Sequence, residues 1–272
     1  MRTRTAPPGG EPSWILADSW VIARRDLLHW VRNPSVIIAS VAFPAMFVLL
    51  FGFVFGSAIT VPGGGDYREF LMPGMFAQAM VNGAAATVAV VAADRARGVT
   101  DRFRSMPMAP GAPVIGRSLA DVVNSCLDLV VLVGLGLLVG WRAHGGVLGA
   151  LAAVGLLLLL RFAMIWVGIY LGLVVSQEAA GLAWTPLFPL TMIANTFVHP
   201  SQLPGWLGPI ADWNPLSATV TAVRQLFGNA GAVGPSVTWA EQNAMLLAIL
   251  WPVAIVAVFL PLAVRRYRHP TA

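Results

Sequence analysis

The chain has 272 residues, 57% of them hydrophobic and only 11% charged, with a formal net charge of +5. A water-facing globular domain carries about 25% charged residues, so this composition excludes a soluble globular fold and points to a single domain immersed in lipid. All 17 basic residues are arginine; without lysine there is neither a G-x-x-x-x-G-K phosphate loop nor lysine-based covalent or general-base chemistry.

Residues 1–17 read as a flexible tail. Arg2 and Arg4 are followed by Pro7, Pro8, Gly9 and Gly10 rather than by an apolar core and a small-residue cleavage site, so no removable signal peptide is expected. Residues 18–35 read as an amphipathic helix lying in the membrane interface. At helical spacing Trp20, Val21, Ala23, Leu27, Leu28, Trp30 and Val31 fall on one half, and Arg25, Asp26, His29, Arg32 and Asn33 on the other. Arg24 is on the apolar half, where its long stem can reach the interface. Asp18 or Ser19 caps the start.

A helix crosses about 30 Å of hydrocarbon with roughly 20 apolar residues. Six segments qualify: Val36–Ile59, Phe70–Ala93, Ser118–Gly140, Val147–Val175, Ala179–Val198 and Ala244–Val264. The fourth is long enough to tilt or protrude. Pro186 and Pro189 predict a kink in the fifth. The fold class is therefore an all-α integral membrane protein, its membrane domain spanning residues 36–264.

Positive charge stays cytoplasmic, and arginine placement sets the orientation. Arg2, Arg4, Arg24, Arg25 and Arg32 precede the first span; Arg95, Arg97, Arg102, Arg104 and Arg117 follow the second; Arg265, Arg266 and Arg268 lie in the tail, residues 265–272. The opposite loops hold only Arg68, Arg142 and Arg224. Both termini are expected in the cytoplasm, which requires an even number of spans.

The cytoplasmic loop, residues 94–117, is dense in charge: Asp94, Arg95, Arg97, Asp101, Arg102 and Arg104, with Gly98 and the apolar Phe103, Met106 and Met108 among them and Pro107 and Pro110 closing the stretch. A solvated positive loop explains the arginines but not the apolar side chains, which mark a docking surface. The long outer loop, residues 200–243, contains Asn214 and Pro215, a helix cap followed by proline at the first helical position. Leu216, Val220, Val223 and Phe227 then repeat at helical spacing, Arg224 lies beside them, and Gly228 can end the helix. The apolarity of this loop suggests short re-entrant helices packed against protein in the outer leaflet.

Ionisable groups within spans are functional candidates by default. Asp121, Asn124 and Asp128 share one face of span three, and Arg161 lies near the middle of span four. Counted inward from the outer loop, Asp128 and Arg161 lie roughly 18 and 21 Å deep, which predicts that they pair. Three G-x-x-x-G pairs are present, Gly52/Gly56, Gly136/Gly140 and Gly168/Gly172, and the span-one pair is the favoured helix contact. Cys126 stands alone, and His29, His144, His199 and His269 are scattered without metal-ligand spacing, so neither a disulfide nor a metal site is expected.

The order of these parts resembles a known family. An interfacial helix, six spans, the run D-R-A-R-G-V-T-D-R-F-R-S-M-P-M from Asp94 with G-R-S-L-A-D from Gly116 behind it, and N-P-L-S-A-T-V-T-A-V-R-Q-L-F from Asn214 are similar to the ABC-2 type permeases, most of all the daunorubicin-resistance (DrrB-like) branch. The likeness covers Ser19 to Arg266. It implies a permease subunit in a bacterial cell membrane, paired with a second copy or a related permease and with separate ABC ATPase subunits. In that resemblance Asp94–Met108 corresponds to the coupling helix seated on the ATPase, and Asp18–Asn33 to the connecting helix. Hydrolysis by the partner, which holds the ATP and magnesium, would drive export of a hydrophobic or amphipathic drug, antibiotic or lipid-like compound; no cofactor in this chain and no nucleic-acid partner is implied. An ion-coupled transporter working without ATP is the alternative that Asp121, Asp128, Arg161 and Glu178 leave open, although no internal repeat of the usual kind is present. An intramembrane protease lacks its G-x-S-G motif.

Overall fold

The computed structural model describes residues 44–55, 65–99, 112–229 and 238–268, with the single positions 42 and 61. Every regular element among them is helical. Apolar α1, Pro44–Val54, finishes in π-helical turns over Leu50–Phe55. Then come α2 (Tyr67–Ala96), α3 (Ala112–Leu138), α4 (Gly146–Val174), the short α5 (Gln177–Gly181), α6 (Trp184–Ile193), α7 (Gly208–Asp212), α8 (Pro215–Phe227), α9 (Trp239–Gln242) and α10 (Ala244–Arg268).

Four of these, α2, α3, α4 and α10, are long and apolar enough to cross a membrane. At 30 and 29 residues, α2 and α4 are about 45 and 43 Å long, well over the hydrocarbon thickness. They form the most extensive helix pair of the bundle. Glycine makes this possible: a Cβ on Gly168 would come within 2.9 Å of the Ala84 carbonyl oxygen, and one on Gly172 within 2.8 Å of the Val88 carbonyl oxygen. Where lipid competes equally for apolar surface, such close backbone approach is what holds helices together. α3 and α10 also pack on α4, and α8 wedges against α2, α4 and α10. Below it Phe76, Trp141 and Phe227 meet edge-on, their centroids 5.0 to 6.2 Å apart.

Local chemistry explains the ends of the elements. Asp66 accepts from Arg68 N at the start of α2, and Gly98 at φ +68° closes its far end. Asn214 caps α8 by accepting from Leu216 N, Pro215 occupies the first turn, and Gly228 at φ +70° ends the helix in the left-handed conformation glycine favours. α9 carries a complete capping box between Thr238 and Glu241.

Four sequence expectations need correction. The fifth segment, Ala179–Val198, is not one continuous helix. α5 stops at Gly181, α6 holds only ten residues, and extended backbone at Ala194 ends it. Ten residues reach about 15 Å, half the hydrocarbon thickness. Pro189, inside α6, has no N–H to continue the ladder. The charged loop is shorter than 94–117, because α2 runs on to Ala96 and α3 begins at Ala112, leaving Asp94, Arg95 and Arg117 on helices. Gly168/Gly172, not the span-one pair, makes the close helix contact: Gly52 meets only the Arg68 stem at 3.8 Å, and Gly56 lies outside the described residues. The fourth correction concerns Arg161, below. The interfacial helix with Trp20, Arg24, Arg25, Leu27 and Trp30 also lies outside the described residues, as do Asp101, Arg102, Phe103, Arg104, Met106 and Pro107.

Candidate functional site: a charged seam between α2, α3 and α4

The seam starts where the loop between α2 and α3 leaves the bundle. Arg95, exposed near the end of α2, donates through Nη1 to the Leu173 carbonyl near the end of α4. Arg97 and Gly98 form the α2 cap, their N–H groups donating to Ala93 and Arg95 carbonyls, each at 3.0 Å. One turn further in, Arg117 on α3 spans two carboxylates: Nη1 is 3.7 Å from Asp94 Oδ2 on α2, and Nε is 3.5 Å from Asp121 Oδ1 on its own helix. The two ends of the loop are thus tied by one guanidinium.

Asp121 carries the chain of contacts inward. Its Oδ2 accepts from the Thr87 hydroxyl of α2 at 2.8 Å, and its main-chain carbonyl accepts from the Ser125 hydroxyl at 2.7 Å. Arg161 reaches both from α4, donating through Nε to Ser125 Oγ at 2.7 Å and through Nη2 to Thr87 Oγ1 at 3.4 Å. Its guanidinium lies flat against Gly83, where a Cβ would stand 2.6 Å from Cζ. Thr87, Asp121, Asn124, Ser125 and Arg161 are all buried.

The expected Asp128–Arg161 pairing is only part of the arrangement. Arg161 donates to Ser125 and to Thr87, and Thr87 in turn donates to Asp121, so the guanidinium is joined to Asp121 through Thr87. Depth counting misjudged this because α3 already ends at Leu138 while α4 begins at Gly146. Counted from those ends, Asp128 is about 15 Å deep, Arg161 about 22 Å and Asp121 about 26 Å, so Arg161 falls closer to the level of Asp121. Arg161 Nη1 and Asn124 Oδ1 are among the buried side-chain atoms that have no hydrogen-bond partner. Both are buried where water is scarce, and such orphans are uncommon in a settled core.

A second polar cluster fastens the opposite end of the bundle. Arg224 is buried at 4% exposure and donates to the Phe70 carbonyl (2.8 Å), Asn195 Oδ1 (2.8 Å) and the Thr196 carbonyl (3.2 Å), with its Cζ 3.5 Å from the centroid of the Phe70 ring. Asn214 Nδ2 donates to the Leu190 carbonyl, and Trp141 Nε1 to Asn229 Oδ1. Nearby, His199 Nε2 lies 3.0 Å from Glu241 Oε1. Asp212, Glu241, Asn195, Ser217 and Thr221 line a cavity of about 10 Å³, the size of one water molecule. Burial, and then the neighbouring charge of Glu241, push the Asp212 carboxyl above its ordinary range.

Sequence reasoning singled out Asp121, Asn124, Asp128, Arg161 and Arg224. It missed Thr87, Ser125, the bridging role of Arg117, and the His199–Glu241 pair, whose partners lie on different elements. The signal available for Arg117 was its four-residue spacing from Asp121 on one helix face. Among the described residues no group of His, Cys, Asp and Glu side chains is arranged to hold a metal. Glu178, a candidate for ion coupling, is exposed in the first turn of α5, where its own backbone N–H and then the Ser176 hydroxyl hold its carboxyl below the usual range.

A helical bundle with membrane-length apolar helices, a loop tied at one end and a polar cluster fastening the other defines a multi-pass membrane protein with buried polar groups. The chain belongs to the ABC-2 type transporter family, whose model matches residues 18–227. It is 35% identical over 251 residues, 91% of this chain and 85% of the relative, to the daunorubicin resistance ABC transporter permease protein DrrB1 of Streptomyces coeruleorubidus. It is also 26% identical over 261 residues to the doxorubicin resistance ABC transporter permease protein DrrB of Mycobacterium tuberculosis, covering 88% of this chain and 84% of that one. The probable doxorubicin resistance permease DrrC of the same species is 21% identical over 259 residues, covering 94% and 91%. The chain is the permease subunit of an ABC exporter.

Proposed function

We propose that this permease moves a hydrophobic or amphipathic compound of anthracycline-like size outward, driven by a separate ATPase that docks on the loop between α2 and α3. The observation that carries the docking site is Arg117, which ties Asp94 at one end of that loop to Asp121 on the helix leaving the other. A loop fastened in this way passes a push to both helices at once. The substrate class follows the names of the relatives, resistance permeases for daunorubicin and doxorubicin. ATP and magnesium belong to the partner; a chain without lysine has no phosphate loop of its own.

In this reading the chain crosses the membrane six times with both termini in the cytoplasm. Pro44–Val54 belongs to the first crossing, the broken α5–α6 segment supplies the fifth, and α7 to α9 form the outer re-entrant cap. Two permease subunits and two ATPase subunits make the working assembly. The test is co-purification with a candidate ABC ATPase subunit, alongside doxorubicin efflux from cells expressing both. Replacing Arg102 and Phe103 together with alanine is expected to abolish the complex and the efflux while leaving the permease in the membrane. Full binding by the doubly substituted protein would refute docking through this loop.

A further inference from the structure

Between Glu178 and Arg265 the sequence holds three charged side chains, Asp212, Arg224 and Glu241. All three turn inward. Arg224 and Glu241 are buried, Asp212 and Glu241 line the water-sized cavity, and Glu241 pairs with His199. Among the described residues, the surface of α7, α8 and α9 therefore presents no charge. It presents large apolar side chains instead: Trp206 is 72% exposed, Trp239 55%, and Ile210 and Trp213 53% each. Trp206, Ile210 and Trp213 stand at i, i+4 and i+7 through α7 and its flanking turns, on one side of the helix. Trp213 stacks on Trp239 of α9, with ring centroids 5.7 Å apart and planes 15° from parallel. A water-facing protein carries about a quarter charged residues, whereas a contiguous apolar patch marks contact with a membrane or another molecule.

The height of this face follows from α10. Arg265, exposed near the end of that helix, lies outside the hydrocarbon. Counting back about 20 residues, or about 30 Å, reaches Met245. α9 leads into α10 with continuous backbone bonding, Asn243 N donating to the Trp239 carbonyl and Leu247 N to the Asn243 carbonyl, each at 3.0 Å. Trp239 therefore stands about 7–9 Å beyond the hydrocarbon, the lower figure for the usual helix tilt of about 20°. Trp213, stacked on it, stands at the same level. The headgroup layer adds about 5–8 Å on each side of the bilayer, and it is the layer that tryptophan, an apolar ring with one polar N–H, favours. The face is also continuous with the exposed apolar side of α10, where Leu246, Ile249 and Leu250 are 49%, 44% and 50% exposed. We propose that α7 and α9 rest on the phospholipid headgroup layer through Trp206, Ile210, Trp213 and Trp239, an uncharged anchor at the end of the bundle that Arg224 fastens. The leaflet then holds that end at a fixed depth, in addition to the hydrogen bonds within it. The proposal needs the membrane-spanning reading of the bundle, but neither the exporter reading nor a choice of which side faces the cytoplasm.

The test attaches a nitroxide to Trp206→Cys or to Ile210→Cys, one site per protein, in a Cys126→Ser background and in phosphatidylcholine nanodiscs. Power saturation compares collisions with oxygen, which concentrates in lipid, and with a nickel chelate, which stays in water. Val253→Cys, exposed near the middle of α10, and Arg97→Cys, exposed at the cap of α2, calibrate the two limits. Both test labels are expected between those limits, within about 10 Å outside the hydrocarbon boundary. A label that nickel meets as freely as the one at Arg97 would show a face turned to water and overturn the proposal. So would a label that neither agent reaches, which would show a face covered by protein, a second copy of this chain included. A label as dry as the one at Val253 would put the face in the hydrocarbon and overturn the headgroup assignment. A label-free measurement guards against damage by the cysteines. The chain carrying Trp206→Phe, Trp213→Phe and Trp239→Phe together is expected to lose part of the tryptophan quenching caused by a headgroup-labelled phosphatidylcholine, and little of that caused by a mid-chain label. Headgroup quenching unchanged by the three substitutions would overturn the proposal.

Discussion

Gly172→Ala tests whether α2 and α4 are a single close-packed unit. The added Cβ would stand 2.7 Å from Val91 Cβ, 2.8 Å from the Val88 carbonyl oxygen and 2.9 Å from Val91 Cγ1. Ordinary contacts of this kind are near 3.5 to 4.0 Å, and the nearest atoms are backbone and a β-branched side chain that has little freedom to turn away. The helices must separate by about 0.5 to 1 Å, which forfeits a quarter to a half of each van der Waals well along the seam. Overpacking typically costs about 1–3 kcal/mol, and the helix propensity gained by replacing glycine returns at most about 1 kcal/mol. The expected net loss is about 1–2 kcal/mol, read as a lower midpoint in thermal denaturation of the detergent-solubilised protein. Gly155→Ala on the same helix is the control. Nothing lies within 4 Å of its added Cβ, so it gains propensity without a clash and is expected to hold or raise the midpoint. Equal midpoints for the two variants would refute the close-packing argument. Gly168→Ala should behave like Gly172→Ala and also disturb the seam, since its Cβ would meet Thr87 Cβ at 2.8 Å.

Other outcomes follow from the outer cap. Arg224→Met keeps the apolar stem but leaves the Phe70 carbonyl, Asn195 Oδ1 and the Thr196 carbonyl without their donor; a loss of about 3 kcal/mol or more is expected. Arg224→Lys restores charge but neither the fork nor the stacking on Phe70, so it should recover only part of that loss in the same melt. For pH, burial holds the Asp212 carboxyl above its ordinary range. A raised acid stabilises the fold below its unfolded value and loses that contribution as pH rises through its folded value. Asp212→Asn is therefore expected to raise the melting midpoint at pH 8 and to have little effect well below the ordinary carboxylate range. An equal effect at both ends would show that the acid's environment is not the cause.

What was legible in the sequence was local. Asn214, Pro215 and Gly228 act within four residues of the helix ends they set, so the bounds of α8 could be read directly. Length and apolarity located α2, α3, α4 and α10 because the bilayer imposes both. The choice among three glycine pairs was not legible, because the motif says that a face can pack closely and not which neighbour it meets. Nor were Arg224 with Phe70, His199 with Glu241, or Trp141 with Asn229, since each joins side chains brought together only by the tertiary fold. Arg161 was found as a buried charge because an arginine amid leucines is conspicuous. Its partners depended on where α3 and α4 end, and spacing from estimated ends was wrong by two residues at α3.

The two polar clusters divide the labour of the bundle. At the end that α8 covers, Arg224 makes three hydrogen bonds to two different elements, and His144 N and Gly145 N donate to the Phe227 carbonyl at 2.6 and 2.8 Å. Gly145 and Gly149 lie so close to the Leu226 carbonyl that no Cβ fits. That end has little room to slide. The seam at the other end is held differently: Arg117 bridges two carboxylates at ion-pair distances, and Arg161 bonds only the hydroxyls of Ser125 and Thr87. Force applied to the loop between α2 and α3 therefore meets a yielding polar seam first and a rigid cap last. A transporter that must open on one side without losing its other end requires that order of stiffness, and here it arises from where a few arginines find their acceptors.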